Sequence, residues 1–281
     1  MSPTGTTGGD AALTEALALA LTFTTDLAEQ AGRILMDRYE RLERIDYKSA
    51  RDVVTEADHE SEALILAAIR ARFPTDAILA EETGEHQAVA GDAPMSGRGR
   101  VWIVDPLDGT VNYANGLPVF CVSIGLVVDG RPAVGVILDP TRAELFAATA
   151  DGPATLNGRV IHASHKERMS DWVISMSLNG RTATSRGRDV RKAIRISRSM
   201  GSAALALAYV ANGRFDAFVQ QGGLSAWDVA AAGLIAERAG ATVTSMDGAP
   251  WFDLAHGIRS IGIVAAPAAQ HDALLGLAAG R

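Results

Sequence analysis

Apolar side chains first recur at helical spacing. From about Ala11 to Glu43, Leu17, Leu21, Leu27, Ile34 and Leu35 fall near one face, which predicts a long amphipathic helix. A second helix is predicted from Thr55 to Phe73, with Thr55 and Asp58 as a capping-box pair at its start and Pro74 as its stop. The period then shortens. Ile78–Ala80 and Val101–Val104 are short apolar runs that each lead straight into acidic residues. Phe120–Val128 and Ala133–Leu138, joined by Asp129-Gly130, read as a hairpin, and Glu144–Ala148 as a further strand. Beyond Gly152, strands are expected at Trp172–Ser177, Arg195–Ser197, Phe215–Gln220, Thr242–Ser245 and Ile261–Ala265. Helices are expected at Arg188–Ile194, Ser202–Val210, Trp227–Ala239 and Ala268–Ala279. The pattern predicts an α+β front half over residues 11–150 and an α/β rear half over 151–281, meeting at a seam near residue 150.

Length and composition narrow the class. The 281 residues, 48% apolar and 21% charged, suffice for one large domain or two closely packed lobes. A formal net charge of −7 argues against a general nucleic-acid or membrane-surface binder and suits a protein that gathers carboxylates around cations. The single cysteine, Cys121, leaves no intramolecular disulfide and no cysteine-based zinc site; in the apolar run Val119–Val128 it reads as a buried core thiol rather than a nucleophile. The first ten residues, MSPTGTTGGD, are expected to be disordered, and they carry no basic residue and lead into no adequate apolar core of a secretory signal. No apolar stretch is read as long enough to span a membrane, so a cytoplasmic protein is expected.

The candidate chemistry is acidic. In Val101–Thr110 an apolar run ends at Asp105, and Pro106, Leu107, Asp108, Gly109 and Thr110 turn the chain. Pro106 restricts the turn, Gly109 lets backbone amides approach a ligand, and Thr110 is placed to cap a short helix whose start would favour a phosphate. Asp105 and Asp108 would then reach one divalent cation from a rigid corner. In isolation the same residues read as an Asx turn. Glu81-Glu82 after the strand Ile78–Ala80 could be solvated loop charge, and Asp58 and Asp228 could serve only as helix caps, Ser225 and Asp228 forming a second capping box. Together, Glu81, Asp105, Asp108 and Asp228 are hard oxygen donors with no His or Cys beside them in sequence, a set that suits Mg²⁺ or Mn²⁺ and disfavours zinc. Carboxylates grouped around two cations are an arrangement for in-line phosphoryl displacement.

On these residues the chain resembles the inositol monophosphatase superfamily. WIVDPLDGTVNY is similar to its metal-binding signature and WDVAAAGLIAERAGA to its second signature, with DVVTEAD and AEETGE in the family's order. The resemblance implies a layered αβαβα sandwich, a homodimer, and a Mg²⁺-dependent phosphomonoesterase acting on small soluble esters. It also implies two or three Mg²⁺ per site, with Glu81, Asp105 and the Leu107 carbonyl holding the first and Asp105, Asp108 and Asp228 the second. Glu81 with waters would hold a third, Asp58 and Thr110 with Glu81 would position the attacking water, and the Gly109 and Thr110 amides would bind phosphate. Gly201, Ser202 and Gln221 fall among the implied substrate contacts. Two positions depart from the family: Ser202 stands where Thr is frequent, and Gln221 where inositol-specific members carry Glu, seven residues before the WD aspartate. A glutamine there keeps one acceptor, adds a donor and loses the charge, which points to an alcohol other than inositol or to a broad substrate range; read blandly, Gln221 merely ends a strand and Ser202 is neutral. NYANGLPVFCVSIGL resembles the inositol-phosphatase branch more than the nucleotidase branch. The alternatives within the superfamily are histidinol-phosphatase, fructose-1,6-bisphosphatase and nucleotide bisphosphate or NADP phosphatase. Outside enzymes, a regulatory binding protein finds its only support in the run Arg181–Arg198, with six Arg and one Lys against one Asp, and a solvated helix and loop is the favoured reading of that run.

Overall fold

The computed structural model describes residues 7–41, 45–49, 52–86, 99–178, 183–254 and 261–280. Its outer layer is α1 (Thr7–Arg38) and α2 (Glu56–Arg72), with a small hairpin of β1 (Ile45–Ser49) and β2 (Asp52–Thr55) between them in sequence. An eight-stranded sheet follows. It contains β3 (Ala77–Ala80), β4 (Gly84–His86), β5 (Arg100–Asp108), β6 (Cys121–Val128), β7 (Arg131–Asp139), β8 (Glu144–Thr149), β9 (Thr155–Leu156) and β10 (Arg159–Val160), in the order β10-β9-β8-β7-β6-β5-β3-β4. The short helix α3 (Thr110–Ala114) leaves the end of β5. A second sheet of five strands has the order β12-β11-β13-β15-β14. Its members are β11 (Val173–Ser177), β12 (Ile196–Arg198), β13 (Ala217–Leu224), β14 (Ala241–Ser245) and β15 (Ile261–Pro267). Helices α5 (Ala203–Ala211) and α6 (Ala226–Arg238) lie between the sheets, and α4 (Ala183–Ala193) and α7 (Ala268–Ala279) cover the far side of the second.

Apolar seams hold these five layers, and a smaller cluster packs Leu79, Val101 and Ile103 against Trp227 and Ala230 at the start of α6. The outer seam joins Leu17, Leu27, Leu35, Ile65 and Ile69 of α1 and α2 to Trp102, Val104, Ile124 and Val136 of the large sheet. The central seam joins the other face of that sheet to α5, α6 and Phe218, Ile263 and Ala265 of the small sheet. The last joins Ile174, Val219 and Val264 to Val190, Leu274 and Ala278 of α4 and α7. Helix α5 is apolar all round, with Ala204 to Ala211 buried, as a helix walled in by two sheets requires, and α6 is apolar and buried over Val229–Ala236. A pair of glycines facing each other across β6 and β7, Gly125 and Gly135, makes the notch into which α6 settles. A Cβ on Gly135 would stand 2.6 Å from the Ala231 carbonyl oxygen, and one on Gly125 3.3 Å from the Ala231 amide nitrogen.

The layered sandwich is as expected, with differences of detail. The first helix runs over Thr7–Arg38 instead of Ala11–Glu43, so Thr7 to Asp10 are helical; residues 1–6 lie outside the described part. The large sheet takes in Arg159 and Val160, so it passes the expected seam by ten residues, and α5 and α6 of the rear half pack on both sheets. Hairpin β1–β2 and the two-residue strands β9 and β10 are too short to carry a pattern of their own and exist through pairing. The expectation that no stretch reaches membrane length needs correction: Ala11–Arg38 of α1 is long and apolar enough to cross a bilayer by length and composition. Here Leu17, Leu27, Ala28, Ala31 and Leu35 of that helix are spent on the outer seam.

Candidate active site

The acidic corner is built by a bulge in β5. Asp105 pairs with Ser123 of β6 and Asp108 with Cys121, so three steps on one strand face two on the other. On a regular strand residues three apart point to opposite faces; the extra residue at Pro106–Leu107 brings Asp105 and Asp108 to the same side. The Leu107 amide donates to Asp105 Oδ1 at 3.0 Å and locks the turn. Gly109 follows at φ 100°, and a Cβ there would meet the Val119 carbonyl oxygen at 2.9 Å, so the position excludes a side chain on both counts. Gly109 occupies the cap position before α3, so Thr110, the helix's first residue, does not cap it as expected. Its hydroxyl lies 3.0 Å from the Leu107 carbonyl and 3.2 Å from Asp58 Oδ1, two acceptors that share its single proton.

The other carboxylates arrive on helix starts. Asp228 is the third residue of α6, where its Oδ2 accepts the Ser225 amide at 2.6 Å in a capping box. Asp58 does the same for α2, accepting the Thr55 amide at 2.8 Å and the Thr55 hydroxyl at 2.6 Å, both on Oδ2. In Asp58 that bond fixes the rotamer and leaves Oδ1 to face Thr110. The capping and the site readings therefore hold together for this residue. Asp108 meets the start of α5: its Oδ2 accepts the Ser202 hydroxyl at 2.6 Å and the Ala204 amide at 2.7 Å. One oxygen each of Asp105, Asp108 and Asp228 lies within 4.8 Å of the others. Glu81, half-buried on the turn after β3, stands outside this tight trio and shares a hydrogen bond with Asp105.

Crowding marks the trio electrostatically. Burial holds Asp105 well above the usual carboxylate range, and the negative charges of Glu81, Asp108 and Asp228 push it further. Burial also raises Asp108, against the hydrogen bonds from Ser202 and the first amides of α5. Asp58 is pushed up to about 6 by burial first and by the charge of Glu82, opposed by its bonds from Thr55 and Thr110. Oxygen donors pressed together with no histidine or cysteine among the trio match a hard divalent cation.

A cavity of about 290 Å³ opens beside the trio. Asp108 and Asp228 border it on one side, Gly201 and Ser202 at the start of α5 on another, and Ser175, Ser177, Met176 and Gln220 at the ends of the second sheet on a third. Gln221, expected in this wall, is not part of it. Phe218 of β13 faces the central seam and Val219 the seam against α4 and α7, so Gln220 follows Phe218 toward the cavity and Gln221 turns to α4, where Arg186 Nη2 donates to its Oε1 at 2.8 Å. One residue went unread in the sequence, and another was read only as core. Asn112 of α3 donates to the carbonyls of Val119 at 2.7 Å and Met200 at 2.8 Å, tying the acidic corner to the Gly201 loop. Cys121 is a buried thiol as expected, yet it lies under the site with Sγ 3.8 Å from Asp108 Oδ2. Asn112 stands two residues after Thr110, which was the available signal.

The family model for inositol monophosphatases matches residues 17–279. The chain belongs to the inositol monophosphatase family. It is 37% identical to the Nus factor SuhB of Pseudomonas aeruginosa, over 80% of this chain and 84% of that protein. It is 36% identical to the inositol-1-monophosphatase of a Synechocystis species, over 84% of this chain and 82% of that one. Among solved structures it resembles the extragenic suppressor protein suhB of Bartonella henselae, with a TM-score of 0.83 at 32% identity, covering 92% of this chain and 98% of that one. This family member is a phosphatase, and its family is metal-dependent. The trio Asp105, Asp108 and Asp228 is a cluster that could hold the ion.

Proposed function

We propose that the enzyme hydrolyses a small phosphate monoester, inositol-1-phosphate or a related polyol or sugar phosphate, with two or three Mg²⁺ at the acidic corner. The observation that carries this reading is the convergence of Asp105, Asp108 and Asp228 within 4.8 Å at the edge of a cavity walled by hydroxyls and one carboxamide. Bound there, the cations would lower the pKa of an attacking water and stabilise charge on the leaving oxygen. Glu81, Asp105 and the Leu107 carbonyl are the donors for one ion, Asp105, Asp108 and Asp228 for another, and Glu81 for a weaker third. Thr110, held between Asp58 and the Leu107 carbonyl, orients the attacking water through its hydroxyl. Asp58, whose carboxyl burial pushes up to about 6, accepts the proton at Oδ1. The amides of Gly109 and Thr110 face the phosphate, and Gly201, Ser202 and Gln220 the alcohol. The same reading makes the protein a cytoplasmic homodimer acting on free metabolites. Phosphate release with Mg²⁺ is to be measured on inositol-1-phosphate, histidinol phosphate, fructose-1,6-bisphosphate, NADP and adenosine bisphosphate, with Asp105→Asn as the blank. Release by the blank at the wild-type rate refutes the assignment.

A second reading, regulatory binding, rests on the exposed cations Arg188, Arg191 and Lys192 of α4 and Arg195 and Arg198 beyond it, and on relatives named as Nus factors. It predicts salt-dependent retention on nucleic acid that survives Asp105→Asn.

A further inference from the structure

Helix α2 presents an unusual face to the site. Asp58, Ser61 and Glu62 stand at i, i+3 and i+4, so they share one side of the helix, and all three are buried. A buried stripe of this kind on a helix whose next turns are Ile65, Leu66 and Ile69 would be costly unless each polar group had a partner. Each has at least one on a turn of the acidic site, and Asp58 has Thr55 of its own helix start besides. Asp58 receives Thr110, and Ser61 Oγ donates to the Pro106 carbonyl at 3.2 Å. Glu62 takes the third turn. Its Oε2 accepts the Glu82 amide at 3.0 Å, and its Oε1 accepts the Thr83 amide at 3.0 Å and the Thr83 hydroxyl at 2.6 Å.

These three bonds grip the residues directly after Glu81. On its other side the Glu81 amide is held by the Val104 carbonyl at 3.1 Å, the last rung from β5. Glu81 is therefore pinned between the strand that carries Asp105 and the helix that carries Asp58. Both oxygens of Glu62 are engaged by protein donors, which sets it apart from a ligand. The grip continues outward: Thr83 Oγ1 is 2.5 Å from His86 Nε2, and His86 Nδ1 is 2.8 Å from Arg70 Nη2. Because the Thr83 hydroxyl gives its proton to Glu62, the chain of donors is self-consistent when His86 carries its proton on Nε2 and accepts from Arg70 on Nδ1.

We propose that Glu62 is a positioning residue for the metal site, setting the place of the Glu81 carboxylate relative to Asp105 through the amides of Glu82 and Thr83. The proposal rests on the metal-centre reading above. Its consequence is specific: loss of the Glu62 carboxylate weakens metal binding more than it weakens the fold. Outer-shell partners of metal ligands are worth about ten- to hundredfold in metal affinity.

The test titrates Mn²⁺ into the metal-free full-length protein by electron paramagnetic resonance, and records Tm without metal. Wild type, Glu62→Gln, Glu62→Ala, Thr83→Val and Thr83→Ser are compared with Asp76→Asn. Asp76 is a buried carboxylate at the opposite end of β3, bonded to Trp102 Nε1 and Arg100 Nε at 2.8 Å each, and serves as a stability control. Glu62→Gln keeps one acceptor and turns an amide group toward a donor, so about a tenfold loss of Mn²⁺ affinity is expected, more for Glu62→Ala. Thr83→Val is expected to fall between Glu62→Gln and wild type, and Thr83→Ser to match wild type. Asp76→Asn is expected to lower Tm with Mn²⁺ affinity unchanged. Wild-type affinity in folded Glu62→Gln, or an equal loss in Asp76→Asn at matched Tm, overturns the positioning role. A wild type that binds no Mn²⁺ overturns the metal-centre reading and this role with it.

Discussion

Replacing Gly135 with alanine tests whether the sheet, and not only the acidic corner, sets the site. Gly135 lies in mid-strand on β7 opposite Gly125, and the α6 backbone rests on the pair. An alanine Cβ there would sit 2.6 Å from the Ala231 oxygen, 2.9 Å from its Cα and 3.1 Å from its carbonyl carbon. Ordinary contact needs about 3.5 Å, so α6 has to rise by about 1 Å. Those atoms are backbone and cannot rotate away. Overpacking of this kind costs about 1–3 kcal/mol, a fall in Tm of a few degrees. Ala231 is one turn beyond Asp228, so the same rise carries that carboxylate away from Asp105 and Asp108. A misplacement of about 1 Å costs roughly a hundredfold in rate. Gly125→Ala is the internal comparison: its Cβ would be 3.3 Å from the Ala231 nitrogen and 3.4 Å from the Ala230 Cβ, a conflict of a few tenths of an ångström. The expected order is wild type, Gly125→Ala, then Gly135→Ala, both in thermal melts and in kcat of phosphate release at saturating Mg²⁺. Gly135→Ala with wild-type Tm and kcat would refute the notch as the determinant of Asp228. So would a large loss in Gly125→Ala alone.

Mg²⁺ is expected to be required and Ca²⁺ to inhibit, because the larger ion prefers more ligands and a looser geometry; full turnover after exhaustive chelation contradicts this. Gln220→Ala is expected to raise KM for a polyol phosphate severalfold with little change in kcat, while Gln221→Glu strengthens the bond to Arg186 without improving KM for inositol-1-phosphate. The reverse pattern would place Gln221 in the substrate wall after all. In metal-free protein, Asp58 carries its own pH signature. Its folded pKa of about 6 exceeds its unfolded value of 3.8, so the folded state holds the proton longer and stability falls as pH rises between those values, by about 3 kcal/mol in all. Urea unfolding at pH 4 and pH 7 should show Asp58→Asn losing that share of the slope, and an unchanged slope would contradict it.

Much of the site was written locally. Asp105 to Thr110 are near neighbours, so strand end, proline and glycine declare the corner without help from the rest of the chain. The capping boxes at Thr55–Asp58 and Ser225–Asp228 are likewise local events of residues three apart, and the helix at Ser202–Val210 was legible in its own residues, though not that it is buried on every side. Tertiary structure alone decided how these pieces meet. Ser202 and Ala204 reach Asp108 from far along the chain, and Glu62 reaches Thr83 from one helix to a turn beyond the next strand. No local pattern encodes such pairs, because their geometry follows from how layers stack. The cavity wall shows the limit most plainly. Phe218 and Val219 are both apolar because β13 is buried on both faces, so the strand carries no alternation to tell which side of it Gln220 and Gln221 would occupy. That choice was made by pairing and packing, which sent Gln220 to the cavity and Gln221 to Arg186.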